Sequence, residues 1–168
     1  MSLSVNKNIY YTTSTILEWA NILTNEKLVS ILYDSWEFLV SQQRVNIYAF
    51  VIMPNHIHWL YEVLPPYENE NIKHSFLSFT AKRILDELDS DKEQFIVYKS
   101  NRTFQIWKSP SLSVPVYSKK FFFQKMNYIH KNPVKGGLAQ NPEEYLHSSS
   151  NSYKKGIAHF NFLSIYQM

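Results

Sequence analysis

Residues 46–63 of the chain read NIYAFVIM-PN-HIHWLYEV. The first eight residues are almost wholly apolar, which predicts a strand over 46–53 that is buried at the centre of a sheet. Pro54 and Asn55 are a turn signal, and residues 56–63 have the composition of a second strand. The stretch therefore predicts a β-hairpin, and the rest of the fold is organised around it.

Segments with strand or helix patterns lie on both sides of this hairpin. They are residues 8–16 (strand), 25–43 (helix, with Thr24 as its N-cap), 71–88 (helix), 95–107 and 112–117 (short strands) and 119–131 (helix, with Ser118 as its N-cap). The last of these helices is expected to end near Asn132, because the residue before a proline avoids the helical region and Pro133 follows.

The element order is β-α-β-β-α-β with one further helix, which is the split βαβ plan. We therefore predict an α+β, ferredoxin-like (RRM-like) fold with an antiparallel sheet and an additional C-terminal helix. A length of 168 residues predicts a single domain over 1–168, with a core of about 8–138 and a C-terminal extension over 139–168. Because RNA-binding modules and nucleases share this plan, the fold alone does not choose a function.

The composition excludes several classes of protein. With 3 glycines and 0 cysteines, the chain has no glycine-rich phosphate loop, disulfide, zinc finger or thiol nucleophile. Its N-terminus lacks the pattern of a signal peptide, and its longest near-apolar run is far shorter than the ~20 residues that cross a bilayer. We therefore expect a soluble cytoplasmic protein that does not contact membranes.

Positive charge is concentrated in one part of the chain. The net charge is +3, but residues 94–142 contain eight bases and no acid. Aromatic residues lie among these bases, and bases with stacking rings are what single-stranded nucleic acid binding requires. A solvated basic face is the alternative interpretation. The candidates for phosphate contacts are Lys119, Lys120, Lys125, Lys131 and Lys135.

Two histidines lie two residues apart at the start of the second hairpin strand. Because side chains alternate along a strand, His56 and His58 are expected on the same face of the sheet. Two neutral imidazoles on a rigid strand supply half of a divalent-metal site. Two ordinary histidines at a strand start are the alternative.

The last predicted helix carries Tyr128 and Asn132 one turn apart on the same face. A tyrosine hydroxyl is a nucleophile when a metal or a base helps it to lose its proton. An asparagine amide oxygen is a hard ligand suited to magnesium or manganese. Ordinary packing of Tyr128, and a helix stop at Asn132, are the alternatives.

Together, these motifs resemble a known family. Residues 48–60, YAFVIMPNHIHWL, resemble the histidine-hydrophobic-histidine motif of the HUH endonuclease superfamily. Residues 125–138, KMNYIHKNPVKGGL, resemble the nucleophile helix of its single-tyrosine transposases, and residues 141–150 resemble the segment that follows that helix. The closest resemblance is to REP-associated tyrosine transposases and their insertion-sequence-200-like relatives.

The resemblance implies a role for each candidate residue. His56, His58 and Asn132 would bind a divalent cation, Mg²⁺ or Mn²⁺. Tyr128 would attack a phosphodiester of single-stranded, hairpin-forming DNA and become a 5′-phosphotyrosine. Trp107 matches a tryptophan of the family and joins the DNA-binding candidates. Both monomers and homodimers occur among relatives, so either state is compatible with the resemblance.

Two other functions are compatible with the residues. One is a catalytically silent, single-stranded nucleic-acid-binding module of ferredoxin-like fold. The other is a small metal-dependent hydrolase that uses the histidines on a substrate other than nucleic acid. The basic segment disfavours the hydrolase, because such a substrate gives no reason for eight clustered positive charges.

Overall fold

The protein, described as a computed structural model of residues 8–167, is built on an antiparallel sheet. Its strands and helices are β1 (Ile9–Thr15), α1 (Glu26–Ser41), β2 (Val45–Met53), β3 (His56–Val63), α2 (Asn69–Leu88), β4 (Ile96–Lys99), β5 (Arg102–Phe104), β6 (Leu112–Pro115), α3 (Lys119–Lys135) and α4 (Ser150–Lys155). The sheet has the strand order β2-β3-β1-β6, and β4 and β5 form a separate hairpin. This arrangement confirms the α+β, ferredoxin-like prediction. Over residues 8–167, no helix combines the length and the apolar character needed to span a membrane.

Helices cover both faces of the sheet. The two-helix face packs against α1 and α2, and its largest buried side chains include Trp36, Phe50, Trp59 and Phe76. The α3 face packs against α3 through apolar side chains from β1, β2 and β3. Strand β3 contributes to both faces, because its successive side chains point in opposite directions.

Helix α1 has a different N-cap from the one predicted. The side chain of Asn25 accepts a hydrogen bond from the backbone N–H of Lys27, so Asn25 is the N-cap. The hydroxyl of Thr24 instead donates to the carbonyl of Asn21, within the turn that precedes the helix. Asparagine and threonine are both favourable N-caps, so the sequence pattern alone separates them poorly.

The prediction that the third helix ends near Asn132 is wrong. Helix α3 continues through Pro133 to Lys135. A proline in a helix removes one hydrogen bond, and here it lies close to the helix end, where little of the helix depends on that bond. The turn is closed by the N–H of Gly136, which donates to the carbonyl of Asn132, and by the N–H of Leu138, which donates to the carbonyl of Pro133.

The residues after α3 lie along the free edge of the sheet. Ser148 forms an antiparallel bridge with Val51, and Leu163 forms a parallel bridge with Ile47. Leu163 is buried in the core of the two-helix face. The C-terminal extension therefore covers the edge of β2, which would otherwise leave backbone groups open to pairing with another chain.

Candidate active site

The start of β3 brings two imidazole rings together on the α3 face. His56 pairs with Thr15 and His58 pairs with Thr13 across the ladder between β1 and β3. The ring centroids of His56 and His58 are 4.9 Å apart. The β2–β3 turn places His56 at the end of the sheet, while His58 lies one step further inside and is only 4% exposed.

The hydrogen bonds of His58 assign its protons. Nδ1 lies 2.9 Å from the hydroxyl of Tyr11 and 2.8 Å from the hydroxyl of Thr13. On the other side of the ring, Nδ2 of Asn132 donates to Nε2 over 3.2 Å. The network therefore assigns the proton to Nδ1 and leaves a lone pair on Nε2, which is the form that a metal ligand requires.

His56 has the same arrangement. Its Nδ1 donates to Oδ1 of Asn55 over 2.7 Å, so Nε2 carries the lone pair. Burial lowers the pKa of His56, although a hydrogen bond with the Asn132 side chain opposes this. Burial, assisted by the nearby His56 and Lys125, lowers the pKa of His58 to about 3. Burial thus favours the neutral form of both rings, which is the form that a metal ligand requires.

Helix α3 supplies the other half of the site. Its first turn is capped by Ser118, whose hydroxyl accepts from the N–H of Phe121 over 3.1 Å. One side of the helix is buried against the sheet through Phe122, Met126 and Ile129. That packing places Tyr128 with its ring centroid 5.5 Å from that of His58, while 42% of the residue stays exposed to an incoming substrate.

Two lysines flank the ring of Tyr128. The Nζ atoms of Lys125 and Lys135 lie 5.8 Å and 5.5 Å from its centroid. Lys125 also lies 4.5 Å from the ring centroid of Tyr11, which holds it at the site. These ammonium groups can stabilise negative charge at the tyrosine oxygen or on a phosphate beside it.

The remaining DNA-binding candidates are more scattered. Lys119 lies 6.0 Å from the ring centroid of Phe123, on a different side of α3 from Tyr128, and Lys120 and Lys131 are exposed. Trp107 is 6% exposed within the core, and its indole N–H donates to the hydroxyl of Thr80 over 2.9 Å. The structure thus gives Trp107 a packing role, and its ring does not lie on the surface where a base could stack.

Comparison with known proteins identifies the family. The sequence model described as "Transposase IS200 like" matches residues 8–132, which is more than half of the chain and spans His56, His58, Tyr128 and Asn132. The chain belongs to the IS200-like transposase family. It is therefore a DNA-processing enzyme of the transposase class.

Two solved structures share the fold of this IS200-like transposase. A REP-associated tyrosine transposase bound to a REP hairpin is 13% identical, with a TM-score of 0.70 over 100% of this chain and 93% of that chain. A candidate transposase from Deinococcus radiodurans R1 is 18% identical, with a TM-score of 0.53 over 77% of this chain and 93% of that chain. No curated protein matches the chain.

The donor set of this IS200-like transposase fits a divalent cation. Over residues 8–167, no cluster of three or more histidine, aspartate or glutamate side chains could hold a metal ion. The candidate ligands are instead the Nε2 atoms of His56 and His58 and Oδ1 of Asn132. Because Nδ2 of Asn132 faces Nε2 of His58 here, the amide would have to turn over for its oxygen and this ring nitrogen to bind one ion. An amide oxygen and two neutral imidazoles suit Mn²⁺ or Mg²⁺, and three protein ligands leave positions open for phosphate oxygens.

Sequence reasoning missed three residues that orient the histidines. Tyr11 and Thr13 hold Nδ1 of His58, and Asn55 holds Nδ1 of His56. The first two lie two residues apart on β1, so the alternation of that strand could have placed them on one face. Only the register between β1 and β3, however, shows that this face is the one carrying the histidines.

Proposed function

We propose that this transposase cleaves and rejoins single-stranded DNA through a covalent 5′-phosphotyrosine on Tyr128. His56, His58 and Asn132 would hold the assisting cation, Mg²⁺ or Mn²⁺. The observation that carries the proposal is the position of Tyr128, whose ring lies 5.5 Å from that of His58 on the same face of the sheet. A nucleophile and a pair of neutral metal-ligating rings thus face the same space.

The cleavage step uses few groups of the chain. The hydroxyl oxygen of Tyr128 attacks the phosphorus as its proton leaves to solvent. A bond forms between this oxygen and phosphorus, the bond between phosphorus and O3′ breaks, and the departing oxygen takes up a proton to become a free 3′-hydroxyl. Attack of a 3′-hydroxyl on the phosphotyrosine reverses these changes. Because the phosphotyrosine conserves the energy of the cleaved bond, rejoining needs no nucleoside triphosphate.

The surrounding residues orient and stabilise this chemistry. A bound cation supplies charge neutralisation at the scissile phosphate. Tyr11 and Thr13 fix the ring of His58 so that Nε2 faces Asn132, and Asn55 does the same for His56. The ammonium groups of Lys125 and Lys135, 5.8 Å and 5.5 Å from the ring centroid of Tyr128, add positive charge near the reacting residue.

The proposed substrate is single-stranded DNA with a hairpin. The eight bases of residues 94–142 include all those on α3, and the structurally similar REP-associated transposase is bound to a REP hairpin. Within one chain, helix α3 packs on the sheet and brings Tyr128 beside His58. The proposal is compatible with a monomer and with a homodimer that exchanges this helix.

The test is covalent trapping. Wild-type protein incubated with Mn²⁺ and end-labelled hairpin DNA with single-stranded flanks should give a protein–DNA species that survives denaturing electrophoresis. Tyr128→Phe keeps the ring and its packing but removes the oxygen, so it should bind the hairpin and give no adduct. Tyr117→Phe, which alters an exposed tyrosine just before α3, is the matched control and should give the adduct.

Two results would contradict the proposal. A robust adduct from the Tyr128→Phe protein would mean that the nucleophile lies elsewhere. Binding by the wild type without any adduct, in Mg²⁺ as well as Mn²⁺, would instead favour the catalytically silent binding module.

A further inference from the structure

The connection between β1 and α1 is fixed against the turn that carries the histidines. The N–H of Ile16 donates to the carbonyl of Asn55 over 2.8 Å, and the N–H of Leu17 donates to the carbonyl of Ile106 over 2.7 Å. Residues 16–24 therefore run between the β2–β3 turn and the segment before β6. They lie at the end of the sheet where the active site begins.

This connection exposes a tryptophan. Trp19 is 56% exposed, whereas Trp36, Trp59 and Trp107 are buried. Its φ is 56° and that of Glu18 is 54°, in the left-handed region that large side chains rarely adopt. Residues held in such conformations cluster at functional sites, because surrounding contacts must impose them. Here those contacts direct an indole ring into solvent.

A lysine lies against the exposed ring. The Nζ of Lys108 is 5.3 Å from the ring centroid of Trp19, and the backbone N–H of Lys108 donates to the carbonyl of Thr15 over 2.7 Å. Thr15 pairs with His56 in the sheet, and the side chain of Asn55 donates to the carbonyl of Trp19. The ring and its ammonium group are thus tied by backbone contacts to the strand ends that position His56.

We propose that Trp19 stacks an unpaired nucleobase beside the scissile phosphate, and that Lys108 contacts a phosphate of the same nucleotide or its neighbour. The proposal rests on the proposed function, since it assumes a DNA single strand crossing the His56–Tyr128 site. An exposed aromatic face beside a cation is the arrangement that binds single strands, and it accepts any base because every base has a π-face.

The surface next to Lys108 contains further cationic side chains. An open cavity of about 340 Å³ lies between α2 and residues 102–111, and Lys108 forms part of its wall. Lys73 and Arg102 also line it, together with Glu70, which pairs with Lys73 over 3.0 Å. A strand that stacks on Trp19 could therefore continue along this cavity, where Lys108 and Arg102 can contact its phosphates.

Tryptophan fluorescence tests the stacking directly. In the Tyr128→Phe background, which cannot form the proposed adduct, an unlabelled oligothymidylate of 12 nucleotides should quench the emission of the exposed Trp19. A duplex of the same length should quench less, because its bases are already stacked. Trp19→Phe keeps a stacking face and should bind well, but the quenching should disappear.

Affinity gives the second measurement. By fluorescence anisotropy with a labelled single strand, Trp19→Ala should weaken binding by about 5- to 150-fold, as loss of one base–aromatic stack does. Lys108→Gln should lower the salt slope by about 0.7. Phe38→Ala removes another exposed aromatic side chain, on α1, and should leave affinity unchanged.

The outcomes separate this inference from the proposed function. Unchanged affinity in Trp19→Ala, or quenching that persists in Trp19→Phe, would overturn the stacking role even if the wild type forms the covalent adduct. Weakened affinity in Trp19→Ala, together with loss of quenching in Trp19→Phe, would support the stacking role even if no adduct forms. If the wild-type protein fails to bind the single strand, the stacking role falls, while the trapping experiment with hairpin DNA still tests the proposed function separately.

Discussion

The two faces of the sheet differ in what fills them, although β3 contributes to both. On the two-helix face, the ring of Trp59 lies 5.6 Å from that of Trp36 and 5.2 Å from that of Phe76. On the α3 face, the neighbouring residue His58 is surrounded by hydroxyl and amide groups. Adjacent residues of one strand thus belong to an aromatic core and to a polar site.

The two faces also differ in whether the nitrogen atoms of these buried rings have hydrogen-bond partners. On the two-helix face, the indole N–H groups of Trp36 and Trp59 have no hydrogen-bond partner among residues 8–167, so packing alone holds these rings. On the α3 face, both ring nitrogens of the buried His58 have partners. We infer that the two-helix face supplies stability and the α3 face supplies function.

The largest effect should come from removing the histidines. His56→Ala and His58→Ala should each abolish adduct formation and Mn²⁺ binding. The free energy of unfolding should fall by about 1 kcal/mol for the half-buried His56, and by about 1–3 kcal/mol for the buried His58, whose removal leaves polar groups without partners. Electrophoresis of the adduct, Mn²⁺ titration followed by electron paramagnetic resonance and urea denaturation measure the three quantities. His159→Ala, at an exposed histidine, is the control. Normal adduct formation by His58→Ala would contradict the inference that the α3 face supplies function.

Trp59→Ala tests the opposite face at the adjacent residue. Truncating a fully buried tryptophan leaves a cavity, so the free energy of unfolding should fall by about 3–5 kcal/mol. At temperatures where the variant is still folded, Mn²⁺ affinity should remain close to that of the wild type. If His58→Ala costs as much stability as Trp59→Ala in urea denaturation, the two faces do not divide stability and function.

The sequence was sufficient for features that depend on local patterns. The apolar run over 46–53, the Pro-Asn turn and the alternation of residues 56–63 predicted the hairpin that the structure contains. Helical spacing located α1 and α2, and the element order predicted the sheet class. These features follow from periodicity and turn chemistry, which neighbouring residues alone determine.

Features that depend on distant contacts could not be predicted. Tyr11 lies 47 residues before His58, and only the register of two strands brings the two side chains together. Trp107 looks like an exposed ring among bases, but its burial depends on packing against α2. The continuation of α3 past Pro133 likewise depends on the closing turn, which local rules about proline do not include.

A smaller effect is expected when the residues that orient His58 are changed. Nδ1–H has two acceptors, so Tyr11→Phe or Thr13→Val alone leaves one of them in place and should change Mn²⁺ affinity little. The double variant should weaken Mn²⁺ binding by about 10- to 100-fold, as loss of contacts that orient a metal ligand does. Tyr117→Phe is the control for tyrosine loss. Equal affinities in the double variant and the wild type would mean that packing alone positions His58.

The smallest effects should come from the lysines of α3, and they should divide by position. The substitutions are lysine to glutamine at Lys119, Lys120, Lys125, Lys131 and Lys135. A substitution that removes a phosphate contact should lower the salt slope of single-strand binding by about 0.7. Lys125 and Lys135 should also slow adduct formation at saturating DNA, because their ammonium groups lie within 6 Å of the Tyr128 ring centroid. Lys120 is exposed and lies more than two turns before Tyr128 on α3, so Lys120→Gln should weaken DNA binding without slowing adduct formation at saturating DNA. Lys154→Gln, which removes an ammonium group paired with Glu143, controls for net charge. A salt slope that none of the five substitutions changes would place the DNA on another surface of the protein.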